Sequence, residues 1–166
     1  MWRRWNLISL IPLVAAACCT VRAQDPRLTL SSESTVPGGS ATLTLSLTTP
    51  AAVAGLQWTL TYSPAHITTL SVTAGPAALL AGKSVRCAGS AGVYRCLLTG
   101  MNAVPVSGGV IAQVNVTVGA LTGFAPIRVS GALGVTPGAE AVAISVDEPP
   151  IFRKQQPVKR PHIRSS

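Results

Sequence analysis

Acidic side chains are scarce in this chain, with five Asp and Glu among 166 residues. Asp25, Glu33, Glu140, Asp147 and Glu148 sit toward the edges of the central region. A facing carboxylate pair of the kind that cleaves glycosidic bonds would therefore need long-range approach. Histidine is scarcer still, at two residues. His66, in Ser63-Pro64-Ala65-His66-Ile67, has no acid within several positions and reads as a loop residue, and His162 lies in the basic end of the chain. Serines are plentiful, but none sits in a nucleophile-elbow motif. The expectation is a non-enzyme, with no catalytic residues, no cofactor and no metal site.

Aromatic residues make up 4% of the chain. Beyond the first 23 residues they are Trp58, Tyr62, Tyr94, Phe124 and Phe152, too few for the flat row of rings that a crystalline polysaccharide requires. Past that segment there is also no apolar run long enough to span a bilayer, so the remainder is expected to be soluble. No stretch has the 3.6-residue periodicity of a long amphipathic helix.

The net charge of +8 invites a nucleic-acid reading, which the placement of the charges removes. Arg3, Arg4 and Arg22 give the first 23 residues +3. Residues 24–150 carry Arg27, Lys83, Arg86, Arg95 and Arg128 against the five acids, for zero. From Ile151 onward Arg153, Lys154, Lys159, Arg160 and Arg164 give +5. The body is neutral and the basicity belongs to the ends.

Residues 1–23 have the form of an export signal: Arg3 and Arg4, an apolar run from Leu7 to Ala17, then Val21-Arg22-Ala23 before a cut. A lipoprotein cut before Cys18, after Ala15-Ala16-Ala17, is the minor alternative. The expected location is secreted, periplasmic or cell-envelope. Two cysteines then remain, Cys87 and Cys96, in a compartment where disulfides persist. A disulfide is favoured over free thiols or half a metal site, since no histidine stands nearby to complete a zinc set. Residues 151–166, with Pro157, Pro161 and dense positive charge, lack apolar periodicity and are expected to be a disordered tail. That tail is a candidate for contact with anionic surfaces.

Residues 24–150 form the domain. Ala41–Thr48 alternates strictly between apolar and hydroxyl residues. Leu56-Gln57-Trp58-Thr59-Leu60-Thr61-Tyr62 does the same, which places Leu56, Trp58, Leu60 and Tyr62 in a core. Ile111–Val118 sets Val114, Val116 and Val118 inward and Gln113, Asn115 and Thr117 outward. Shorter strand candidates are Arg27–Ser31, Thr68–Thr73, Lys83–Ala88, Val93–Leu98, Ile127–Ser130 and Ala141–Val146. Ala77–Ala81 allows one helical turn, and residues 88–92 read as a loop between the cysteines. About nine strands with turn signals every 8–14 residues predict an all-β sandwich with jelly-roll topology.

The order of these features resembles the cohesin domain. Val36-Pro37-Gly38-Gly39-Ser40 leads into an alternating strand. The run from Gly55 to Pro64 is similar to the family's Gly, apolar, polar, aromatic, then Tyr-Asp-Pro stretch, with Ser63 in place of Asp. Leu70–Gly75 looks like the strand that follows, and Ser107-Gly108-Gly109-Val110-Ile111-Ala112-Gln113-Val114 looks like a later one. The likeness covers Leu28 to Val146. It implies a fold shared with the carbohydrate-binding modules of cellulases, and docking of dockerin modules in polysaccharide-degrading assemblies.

The resemblance thus implies a non-catalytic binding module whose partner is a dockerin-like protein or a polysaccharide. The alternative is a structural or adhesive subunit of a cell-surface assembly. No nucleic-acid partner is expected. Gln57, Thr59, Thr61, Gln113, Asn115 and Thr117 are the candidate binding face, joined by Tyr94 and Arg95 from the cysteine hairpin, with Tyr94 read as the one exposed strand aromatic. Asn115-Val116-Thr117 also fits a glycosylation sequon.

Overall fold

The computed structural model describes residues 25–120 and 125–147; the expected export signal, the expected basic tail and Phe124 lie outside them. Among the described residues the chain forms ten strands and one short helix. The strands are β1 (Arg27–Leu30), β2 (Ser40–Thr48), β3 (Gly55–Tyr62), β4 (Ile67–Ala74), β5 (Ser84–Ser90), β6 (Val93–Thr99), β7 (Gly109–Val118), β8 (Ile127–Val135), β9 (Ala141–Ala143) and β10 (Ser145–Asp147). Helix α1 (Pro76–Leu80) joins β4 to β5.

Period-two alternation decides the layers, because each strand has one apolar edge to bury and one hydroxyl-rich edge to hydrate. Two five-stranded sheets result, in the orders β10-β1-β2-β7-β4 and β5-β6-β3-β8-β9. Their inner faces enclose one core. Leu28, Leu45, Leu47 and Val114 come from the first sheet, and Leu56, Trp58, Leu60 and Leu98 from the second, all essentially without solvent contact. Ala78 and Ala81 close one end of it. The last strand returns beside the first, with β10 parallel to β1. Arg27 and Asp147 join across that pair at 2.9 Å, and Thr29 Oγ1 donates to the same carboxylate at 2.9 Å. This is the all-β jelly-roll sandwich that the alternation predicts.

Three expectations need adjusting. The predicted strand Ala141–Val146 is two strands in different sheets: β9 pairs with β8, β10 pairs with β1, and the chain crosses between them at buried Ile144. The crossing is held by the Ser145 N–H donating to Pro26 O at 2.9 Å. The expected loop at residues 88–92 is mostly strand. Ser90 pairs with Val93, leaving only Ala91-Gly92 to turn, with Gly92 at a φ of +96° that suits a residue without Cβ. Finally, Ile127–Ser130 continues to Val135 through a bulge.

Cys87 and Cys96 are register partners on β5 and β6 and form a disulfide on the core side of the hairpin. Among the described residues no helix is long and apolar enough to cross a membrane.

Candidate functional site

The outer face of the β5-β6-β3-β8-β9 sheet can be built row by row from the register. One row reads Arg86, Leu97, Gln57, Leu133, Ala143 from one sheet edge to the other. The next reads Ala88, Arg95, Thr59, Ser130, and the one after it Ser90, Val93, Thr61, Arg128. On the other side of the first row stand Ser84 and Thr99, which pair with each other, and Val135, which pairs with Ala141. Leu97 is 47% exposed and Leu133 50%, so Gln57 sits between two leucines that water reaches freely. Val93 and Val135 are exposed on the same face.

Leu133 owes its position to a bulge. Gln57 pairs with Leu133 and Thr59 with Ser130, so Gly131 and Ala132 together oppose Trp58. Gly131 takes a φ of +58°, the left-handed conformation of a glycine bulge. The extra residue inverts the alternation. Without it Leu133 would point into the core with Ile127 and Val129; with it Gly134 is buried and Leu133 faces solvent.

The opposite face of the sandwich, on β10-β1-β2-β7-β4, is chemically different. Thr42, Asn115 and Ser71 lie in one register row, and Thr44, Gln113 and Thr73 in another. These groups satisfy one another in part: Thr42 Oγ1 donates to Asn115 Oδ1 at 2.8 Å, and Ser40 and Thr117 hydroxyls meet at 3.3 Å. Among the described residues this face exposes no large apolar side chain. It is a hydrated hydroxyl surface.

The predicted binding face is therefore two surfaces. Gln57, Thr59, Thr61 and Arg95 share the outer face of the second sheet, whereas Gln113, Asn115 and Thr117 lie on the far side of the molecule. Tyr94 belongs to neither. It points inward on β6 with Cys96 and Leu98, half-buried, and its ring stacks on Tyr62 with centroids 6.2 Å apart. Adjacent strand residues face opposite ways, so Tyr94 and Arg95 cannot share a surface. Leu56, Trp58 and Leu60 lie in the core as predicted, with Tyr62 at its margin. His66 is in the β3–β4 turn, its N–H donating to Ser63 O at 3.0 Å, and it forms no ion pair among the described residues.

The residues that sequence reasoning overlooked are Arg86, Val93, Leu97, Arg128, Leu133 and Val135. For β6 the signal was present, because placing Cys96 inward forces Val93, Arg95 and Leu97 outward. For Leu133 there was none short of recognising the bulge.

At the end of this face the β6–β7 connection is clamped to the segment after α1. Lys83 is 3% exposed, and its Nζ donates to both Asn102 O and Asn102 Oδ1 at 2.8 Å. Asn102 Nδ2 donates back to Ala81 O at 3.3 Å. Met101 in this clamped connection, and Leu79 and Leu80 at the end of α1, are also exposed.

Comparison with known proteins agrees with this architecture. The family model for the cohesin domain matches residues 26–146. No curated protein matches the chain at the level of sequence. Among solved structures, the sixth cohesin of scaffoldin B from Acetivibrio cellulolyticus, in complex with a dockerin, superposes with a TM-score of 0.65 at 17% identity, covering 75% of this chain and 95% of that one. The OlpA cohesin of a type I cohesin–dockerin complex from Clostridium thermocellum gives 0.65 at 11% identity, covering 74% and 94%. A non-cellulosomal cohesin from Archaeoglobus fulgidus gives 0.61 at 11% identity, covering 74% and 86%.

Proposed function

Because the chain belongs to the cohesin-domain family, we propose that it is a non-catalytic docking module whose protein partner seats on the outer face of β5-β6-β3-β8-β9. One observation carries the choice of face. Val93, Leu97, Leu133 and Val135 are exposed there, whereas among the described residues the exposed side chains of the opposite sheet are hydroxyls, amides and the paired Arg27–Asp147. Exposed large apolar side chains gathered on one face, with polar residues between them, mark that face rather than the hydroxyl face as the interaction surface. Arginine, which this face also carries, is enriched at protein interfaces.

Dockerin modules are the first partners to test, since the similar cohesins were solved with them. Through such a partner the chain would join the polysaccharide-degrading assemblies that the family resemblance implies. Direct glycan binding is the weaker reading, because among the described residues neither sheet offers an outward ring for a sugar face to stack on: Trp58 is buried, and Tyr62 and Tyr94 stack on each other. The form of residues 1–23 and the Cys87–Cys96 disulfide support work outside the cytoplasm.

The test is binding of the full chain to a panel of recombinant dockerin modules, with Leu97→Asp and Leu133→Asp as variants. Each substitution is expected to weaken binding at least about thirtyfold, as at an interface hot spot, without lowering the melting temperature. Binding that survives both substitutions would place the partner elsewhere.

A further inference from the structure

We infer that the partner of this face is acidic: Arg86 and Arg95 are set to receive carboxylates from a docking protein. This rests on the docking reading above and adds the chemistry of the partner.

Although the body of the chain is neutral overall, its charges are not mixed. Of its five cations, Arg27 is paired with Asp147 on the other sheet, and Lys83 is buried in the Asn102 clamp. The remaining three, Arg86, Arg95 and Arg128, all stand on the outer face of β5-β6-β3-β8-β9. That face displays no acid among the described residues, since Glu140 lies in the β8–β9 turn beyond Val135 and Ala141. Neither Arg86 nor Arg95 has a carboxylate partner among the described residues.

Arg86 pairs with Leu97, and Arg95 with Ala88. The two arginines are therefore diagonal neighbours on adjacent antiparallel strands, about 7–8 Å apart at the backbone. Two like charges held this close, with no carboxylate beside them among the described residues, are unfavourable in the free protein. An acidic partner relieves that repulsion, and a basic one adds to it. Both cations are guanidiniums, whose planar fork takes a carboxylate through two hydrogen bonds. Leu97, directly across from Arg86 and next but one to Arg95 along β6, supplies apolar cover that keeps water from those pairs once a partner is seated. Among the described residues this face carries no outward ring, which favours a protein carboxylate over an acidic polysaccharide.

The experiment measures binding of the full chain to recombinant dockerin modules graded from acidic to basic docking surfaces, at low and high sodium chloride. Arg86→Glu/Arg95→Glu, Leu97→Asp and a tail variant with Lys159→Gln/Arg160→Gln are compared. The expected result is preference for acidic modules, weaker binding at high salt, and a loss of about tenfold or more in Arg86→Glu/Arg95→Glu, with the tail variant unchanged. An unchanged melting temperature for that double variant shows that the loss is not one of folding, and Arg86→Lys/Arg95→Lys should restore part of the affinity. If Leu97→Asp abolishes binding but module charge and the two arginines make no difference, the inference is overturned and the docking reading stands. If salt sensitivity follows the tail variant, the inference is likewise overturned. If no dockerin binds while polygalacturonate or phosphatidylglycerol vesicles bind through Arg86 and Arg95, the partner is a non-protein polyanion, and both readings fail.

Discussion

Lys83 shows how one buried charge can fix a surface. Its ammonium is satisfied by two oxygens of a single residue, Asn102, which in turn ties the β6–β7 connection to the segment after α1. Replacing Asn102 by Ala removes the side-chain acceptor from a charge that water hardly reaches. The expected loss is about 1.5–3 kcal/mol, seen as a lower denaturant midpoint with an unchanged slope. A loss below about 0.5 kcal/mol would mean that the ammonium escapes to solvent. Gly131 is the second decisive residue. A Cβ there would meet only Thr59 Oγ1 at 3.7 Å, so space is available and the backbone alone resists. Gly131→Ala should cost about 1–2 kcal/mol for a left-handed conformation, read by thermal unfolding, while binding through Leu133 persists because the register is kept.

At the scale of elements, the β5–β6 hairpin joins stability to the proposed function. β5 is an edge strand, bonded to the sheet only through β6, and it carries Arg86. The Cys87–Cys96 link closes a short loop across that pair. Its removal in Cys87→Ser/Cys96→Ser is expected to cost about 2–3 kcal/mol in the chain-entropy account, with increased amide exchange in β5 before the rest of the sheet. Uniform exchange across all strands would contradict a local role.

The elements also show what the sequence made legible. Strict alternation in β2, β3 and β7 revealed those strands and their buried sides, because a half-buried strand writes its burial into every second residue. The alternation stopped being readable where the chain broke its own period: at Gly131, where one additional residue turns Leu133 outward, and at Ile144, where β9 ends in one sheet and β10 begins in the other. The candidate face was half legible for a related reason. Polar outward residues could be recognised on each strand, but which strands share a sheet is a long-range fact, and Gln113, Asn115 and Thr117 went to the opposite side from Gln57 and Thr59.

At the scale of the whole molecule, the sandwich has two unlike exteriors. One is a self-bonded hydroxyl surface; the other combines exposed leucines and valines with Arg86 and Arg95, which have no carboxylate partner among the described residues. Burying the second face is favourable both for its apolar area and for its charge. The first face offers neither gain, so Thr42→Lys or Ser71→Lys is expected to leave affinity within about twofold. The central claim is that the partner covers β5, β6, β3 and β8. Its most direct test is an amide-resolved NMR titration of the full chain with a dockerin module that it binds. The account predicts shifts concentrated at Arg86, Arg95, Leu97, Gln57 and Leu133, with β2, β7 and β4 unmoved. Shifts concentrated at Thr42, Ser71 and Asn115 instead would contradict it.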